Sequence, residues 1–169
     1  MTGADGVAQA ILPHLDSAYN LARWLMRDAD AAEDVVQDAC LRAIQYFGSF
    51  RGGDARAWLL QIVRRTGYER LRARRTGAEV SLGEDTGMDV PDPGPGPEAT
   101  YAMQQDMARL DAALAALPAE LRECLVLREL EQLSYQDIAR ITEVPVGTVM
   151  SRLWRARQLL MRPQGAGEG

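Results

Sequence analysis

"LSYQDIARITEVPVGTVMSRLWRAR", residues 133–157, is the stretch from which the fold can be worked outward. Ser134 followed by Asp137 is a helix-start signature, because the hydroxyl can accept a hydrogen bond from a backbone N–H left free in the first turn. The short helix that follows turns Ile138 and Ala139 inward and runs through Ile141. Thr142 to Val144 reads as a turn, and Pro145 suits the first position of a second helix, where its missing N–H is not needed. That helix is expected to run to about Met161, with Gly147 in its first turn as its one breaker. Two helices separated by so short a turn are the arrangement that lays the second in the major groove of DNA. Along it, Val149, Leu153, Ala156 and Leu160 form one stripe, and Thr148, Ser151, Arg152 and Arg155 form another. The first packs and the second is placed to read. Arg can bond guanine in a bidentate way worth about 1–3 kcal/mol of discrimination, and Ser or Thr can hold phosphate or base. Taken alone, Arg152, Arg155 and Arg157 would read as a solvated face, but the capped helix and turn before them favour recognition.

Upstream of this unit, Met103, Met107, Leu110, Leu114 and Leu117 recur at intervals of three and four, marking an amphipathic helix that stops before Pro118, with another from there to about Leu130. Before them, Pro91, Pro93, Pro95 and Pro97 alternate with Asp92, Gly94 and Gly96, a composition that excludes helix and favours extended chain. Residues 76–97 therefore read as a linker. Further upstream lie helical patterns over about 7–27, 31–47 and 55–74, the last interrupted by Gly67 at a cost near 1 kcal/mol. Asp30 with Glu33 resembles a capping box that opens the second of these. No strand pattern or internal repeat is present, so the expected class is all-α: two small helical domains joined by a flexible Pro/Gly linker.

Over the 169 residues the formal charge is −5, which alone would argue against nucleic acid, but its distribution matters more. Residues 1–76 hold eleven Arg against nine acids, residues 77–106 hold seven acids and no Arg, and residues 107–169 hold eight of each. Between Arg51 and Arg75, eight Arg face only Asp54 and Glu69, interleaved with Trp58 and Tyr68. Such a segment can neutralise phosphates while an aromatic ring stacks on an unpaired base, which suits opened DNA. Trp58 nevertheless shares core spacing with Leu59, Ile62 and Val63, and so reads as a buried anchor; Tyr68 is open to either role. In the preceding helix, Glu33, Asp34, Gln37, Asp38 and Gln45 are polar, while Val36, Ala39, Cys40, Ala43 and Phe47 face a core. The carboxylate-rich face repels DNA; it is either a solvated surface or a docking site for a basic partner.

Other classes find little support. No apolar run approaches the roughly 18 residues needed to span a bilayer, and Met1 to Gly6 lack a secretory pattern, so the chain is expected to be cytoplasmic without membrane insertion. Cys40 and Cys124 stand alone without ligand spacing, and both read as reduced core residues. His14 is the sole His, and hydrolase or metal constellations are missing. No catalytic residue, metal or cofactor is expected.

Three segments together resemble the extracytoplasmic-function (ECF) sigma factors, subunits that give bacterial RNA polymerase its promoter choice. "DAAEDVVQDACLRAI" (30–44) looks like the family's core-polymerase-binding helix, "FRGGDARAWLLQIVRR" (50–65) like its −10 region, and "LPAELRECLVLRELEQLSYQDIARITEVPVGTVMSRLWRAR" (117–157) like its −35-reading domain. The resemblance implies a region 2 domain over 7–75, a linker over 76–99 and a region 4 domain over 100–162. It implies that Asp34, Gln37, Asp38 and Leu41 grip the clamp coiled coil of core RNA polymerase. It sets the loop from Gly48 to Asp54 against a flipped −10 base, making Phe50, Arg51, Asp54, Arg56, Arg64, Arg65, Tyr68 and Arg72 the −10 set. Thr148, Ser151, Arg152 and Arg155 become the −35 set on promoter DNA. The regulator it implies is an anti-sigma factor.

The sequence departs from the family at Arg65 and Glu69, where members often carry Asn and Asp, at Gly67, which is expected to add flexibility, and at Met150, where some carry Arg. A linker of about 22 residues spans some 25 Å as a coil but reaches about 75 Å extended, against about 70 Å for two turns of DNA. The promoter-bound form must then be stretched, and the free chain is expected to be compact or variable in domain arrangement. Two other readings of the residues are a dimeric helix-turn-helix repressor, separated by its stoichiometry on DNA, and a mimic that sequesters an anti-sigma factor, which would have no use for the basic segment.

Overall fold

A computed structural model describes residues 3–76 and 101–162, with eight α-helices and no strand among them. The linker expectation lies outside the described residues. The first half comprises α1 (Gly3–Ile11), α2 (Leu15–Met26), α3 (Ala29–Gln45) and α4 (Ala55–Thr76). The second comprises α5 (Tyr101–Ala116), α6 (Ala119–Leu125), α7 (Tyr135–Thr142) and α8 (Val146–Met161).

Two boundaries in the first half differ from expectation. The pattern over 7–27 is two helices, because Pro13 cannot donate to the helical ladder and the chain passes through a 3₁₀ turn at Leu12–His14. The cap of α3 is Asp28, whose carboxylate accepts from the Ala31 N–H at 3.0 Å. Arg27 takes a left-handed conformation (φ 60°) and ends α2 there, so α3 starts immediately and Asp30 falls inside its first turn. The helices α2, α3 and α4 then pack against one another around Leu21, Leu25, Val35, Ala39, Leu59, Leu60 and Val63, all fully or almost fully buried. Gly67 belongs to this packing: a Cβ there would stand 3.2 Å from Leu25 Cδ1, so the glycine serves close approach of α4 to α2 rather than flexibility.

In the second half, Ser134 caps α7 through the Asp137 N–H at 3.0 Å, as its spacing requires. Glu143 (φ 61°) makes the turn in a left-handed conformation, and Pro145 stands at the cap of α8, one position before its first turn. The helix expected after Pro118 changes pitch: α6 passes into a π-helical turn at Val126–Leu130, after which Gln132 (φ 57°) reverses the chain. Leu121, Cys124, Leu127, Ile138, Ile141, Val149, Leu153 and Ala156 form the core. Leu114 and Leu117 join it, but Met103, Met107 and Leu110 are exposed, so only the last turn of α5 and the residue after it are packed.

The halves meet. Helix α4 packs on α7 and α2 on α6, and the buried apolar residues of both halves form one continuous cluster. Arg122 seals the junction, donating from Nε to the Trp24 carbonyl at 2.7 Å and from Nη1 to the Leu117 carbonyl at 2.6 Å.

Candidate nucleic-acid interface

On α8 the apolar stripe Val149, Leu153 and Ala156 is buried and Leu160 half-buried, which aims the opposite face outward. Ser151 and Arg155 are exposed on that face, Thr148 is half-buried, and the Ser151 hydroxyl donates to the Thr148 carbonyl at 3.2 Å. Between them stand two exposed apolar side chains, Met150 and Trp154, and Trp154 was not singled out from sequence. Arg152 departs from this group. It is half-buried, its Nη1 is buried without a hydrogen-bond partner, and its charge acts on Glu123 and Cys124 of α6. Arg157 pairs with Glu129 at 2.9 Å.

The basic helix α4 is reached through Gly52 and Gly53, whose φ angles of 89° and 85° are open to glycine at little cost. Asp54 caps α4, accepting from the Ala57 N–H at 3.0 Å, so its carboxylate is committed to backbone. Phe50 lies against Phe47 and Trp58, with ring centroids 5.7 and 4.9 Å away, and Trp58 is half-buried within this trio. Arg51 and Arg72 are exposed.

The other cationic members of the −10 set point into the second half. Arg64 forms a bidentate pair with Glu123, Nε to Oε1 at 2.7 Å and Nη2 to Oε2 at 3.0 Å. Its guanidinium also covers the Tyr68 ring at 4.6 Å. Arg56 donates from Nη2 to Glu131 Oε1 at 2.6 Å and to the Glu131 carbonyl at 2.7 Å. Glu131 also accepts from Ser17 and Asn20. Arg65 reaches Glu143 at 2.7 Å, beside Gln61 at 3.3 Å. Burial pushes the Glu123 carboxyl up, against the pull of Arg64. Burial would also raise Glu131, but hydrogen bonds from Ser17, Asn20 and Arg56 bring it below its ordinary value. Tyr68 is half-buried, its hydroxyl lacks a partner, and burial raises its pKa, so its ring belongs to the junction rather than to an open stacking platform. Glu123, Glu131 and Glu143 were not singled out from sequence. The available signal was Glu123 itself, a carboxylate set in the apolar run from Leu121 to Leu127.

On the far side of the first half, Asp34, Gln37 and Leu41 are exposed on α3 and Asp38 is half-buried. Arg70 of α4 lies 4.0 Å from Asp34 and 3.8 Å from Asp38, and Arg42 pairs with Asp38 at 3.4 Å and with Glu69 at 2.8 Å. The acidic face is thus partly neutralised by its own neighbours, while Leu41 and Ile44 offer apolar surface beside it.

This geometry has close relatives. The family profile described as Sigma-70 region 2 matches residues 10–76, and Sigma-70, region 4 matches residues 107–160. The RNA polymerase sigma-H factor of Pseudomonas aeruginosa is 37% identical over 161 residues, covering 89% of this chain and 81% of that protein. The ECF RNA polymerase sigma factor EcfG of Rhodopseudomonas palustris is 34% identical, covering 92% of this chain and 83% of its own. The chain belongs to the ECF family of RNA polymerase sigma factors. Among solved structures, this ECF sigma factor is similar to the sigma factor RpoE of Bartonella quintana in complex with the anti-sigma factor NepR, with a TM-score of 0.73 and 32% identity over 90% of this chain and 92% of that one. The helix-turn-helix of α7 and α8 is therefore the sigma factor's region 4, and α2 to α4 lie in region 2. No helix among the described residues is long and apolar enough to cross a membrane.

Proposed function

We propose that this ECF sigma factor works as a binding protein, not an enzyme, that carries core RNA polymerase to a two-element promoter in the cytoplasm. The observation that carries the reading is the outward face of α8, where Ser151 and Arg155 stand exposed on a helix-turn-helix whose inner stripe is packed. In this reading Ser151 and Arg155 contact the −35 element, with Thr148 beside them, and Arg152 supports the domain from within. Helix α3 docks on polymerase through Asp34, Gln37, Asp38 and Leu41, a carboxylate surface with an apolar centre suited to a basic partner. The loop from Gly48 to Asp54 and the arginines of α4, with Arg51 and Arg72 already exposed, take the −10 element. Region 2 spans 7–75 and region 4 spans 100–162, and the segment between them lets the domains separate on the promoter. Control by an anti-sigma factor follows the similarity to RpoE, which was captured with one.

Run-off transcription tests this directly. Core polymerase is incubated with and without the chain on a pool of genomic promoter fragments, and discrete transcripts that require the chain are expected. A chain that binds no core, or that binds fragments as a dimer without polymerase, would overturn the reading in favour of a repressor. Asp34→Arg is expected to weaken capture of core while leaving helicity unchanged; equal capture would remove α3 from the docking surface.

A further inference from the structure

Polar side chains are only half of what α8 presents outward. Met150 is 51% and Trp154 64% exposed, each next in sequence to a reading residue, Ser151 or Arg155. At about 100° per residue, positions 150 and 154 make one row along the helix, and positions 151 and 155 make a second row beside it. Each row climbs about 6 Å from its first member to its second, within reach of neighbouring base pairs stacked about 3.4 Å apart. The buried stripe of Val149, Leu153 and Ala156 holds both rows to the outside together. Beyond Trp154 the apolar side turns back to the domain, because Arg157, which follows it there, is paired with Glu129 at 2.9 Å. A single exposed apolar residue needs no explanation, but two large ones a turn apart beside the base-reading row form a patch aimed where the helix meets its target.

In the major groove the base pairs differ in their hydrogen-bonding groups, and thymine alone carries an apolar one, its C5-methyl. A thioether donates nothing and accepts weakly, so Met150 gains little from the acceptor edge of guanine, while its flexible chain can close on a methyl group. Trp154 offers a large flat apolar face for the same contact. We propose that Met150 and Trp154 are specificity-determining residues that read the C5-methyl groups of two thymines in the −35 element, one each, while Ser151 and Arg155 take the polar edges of neighbouring bases. The inference rests on the −35 reading of α8. It follows that any 5-methylpyrimidine, 5-methylcytosine included, satisfies the apolar row.

The test changes the DNA before it changes the protein. Holoenzyme is assembled from core RNA polymerase and the full chain, and the −35 element is located from run-off transcripts. Each thymine in it, on either strand, is then replaced singly by deoxyuridine, which removes only the methyl. In competition binding, native holoenzyme is expected to lose about fourfold at two positions, the loss one buried methyl group supplies, and nothing at the other thymines. Met150→Ala is expected to abolish the difference between thymine and deoxyuridine at one of those positions and Trp154→Ala at the other, with thermal midpoints unchanged because both side chains are exposed. Cytosine at either position is expected to bind more weakly than 5-methylcytosine by a similar factor, which separates the methyl from the thymine O4. Met150→Arg is expected to move the preference at its position from thymine to guanine. An element in which no deoxyuridine substitution matters, or in which both alanine variants keep the native pattern of sensitivity, would overturn the proposal. Equal loss of output from all templates in Trp154→Ala would also overturn it, by placing the apolar row on a protein surface instead. A native chain that yields no promoter-dependent transcript fails earlier, at the sigma reading itself, and the methyl assignment falls with it.

Discussion

Arg64 and Glu123 form a two-bond pair across the junction of the halves, 2.7 and 3.0 Å long, around a carboxylate with no solvent exposure. Removing one member of such a pair usually costs about 3–5 kcal/mol, because the survivor is left charged and buried. Here Arg152 lies near enough to act on the same carboxylate. Arg64→Met alone is therefore expected to cost less than that range in urea unfolding, and Arg64→Met with Arg152→Met to cost more than the two separate losses added. Strict additivity would show that the two arginines do not share Glu123.

Acid should loosen the same junction through a different residue. The Glu131 carboxyl is held below its ordinary value once Ser17, Asn20 and Arg56 outweigh its burial. Its contribution to stability is complete above the unfolded carboxylate value, about 4.3, and is lost as pH falls through the lower folded value. Glu123 is shifted the other way by burial and works against that loss. Thermal midpoints measured across this window are expected to fall on acidification in the native chain and to fall less in Glu131→Gln.

Packing in α4 and α5 gives a contrast between two apolar truncations. Leu59 is completely buried, and Leu59→Ala is expected to destabilise by about 2–5 kcal/mol. Met107 is exposed, and Met107→Ala should stay within about 0.5 kcal/mol of the native chain. A large loss at Met107 in denaturant titration would mean that the α5 stripe is covered in solution.

The recognition helix separates two arginines that its periodicity grouped together. Arg155→Ala is expected to lower discrimination at one −35 position by about 1–3 kcal/mol, measured as transcription from single-base promoter variants. Arg152→Ala is expected to lower the melting temperature and to reduce output from all promoters alike. A base-specific loss at Arg152 would place it on DNA.

How far the fold was legible follows from where information is local. The helix-turn-helix could be read because Ser134, Asp137 and Pro145 act within one turn of their own positions, and the inner stripe of α8 has a period that propensity and packing share. The missed break at Pro13 was equally local, and the periodicity around it masked a rule the residue itself states. The cap at Asp28 was displaced because Arg27 adopts a left-handed backbone, which no pattern in its neighbours requires. Exposure of Met103, Met107 and Leu110 was not legible at all: an apolar stripe shows which face could be buried, while the presence of something to cover it is a tertiary fact. The candidate site divided in the same way. Ser151 and Arg155 were placed by helical spacing, whereas the diversion of Arg56, Arg64 and Arg65 depends on acids 59 to 78 residues away in the chain.

Gly67 shows how little material fixes the stance of the Arg-bearing helix. Its missing Cβ would meet Leu25 at 3.2 Å, and Leu25 is only 1% exposed, so there is little empty space for it to yield into. One methyl group at this position would act as a shim between α4 and α2. The angle at which about six turns' worth of side chains meets either DNA or the opposing carboxylates would then be set by a hydrogen atom's width, leaving the helix register intact while the guanidinium groups along it swing off their marks.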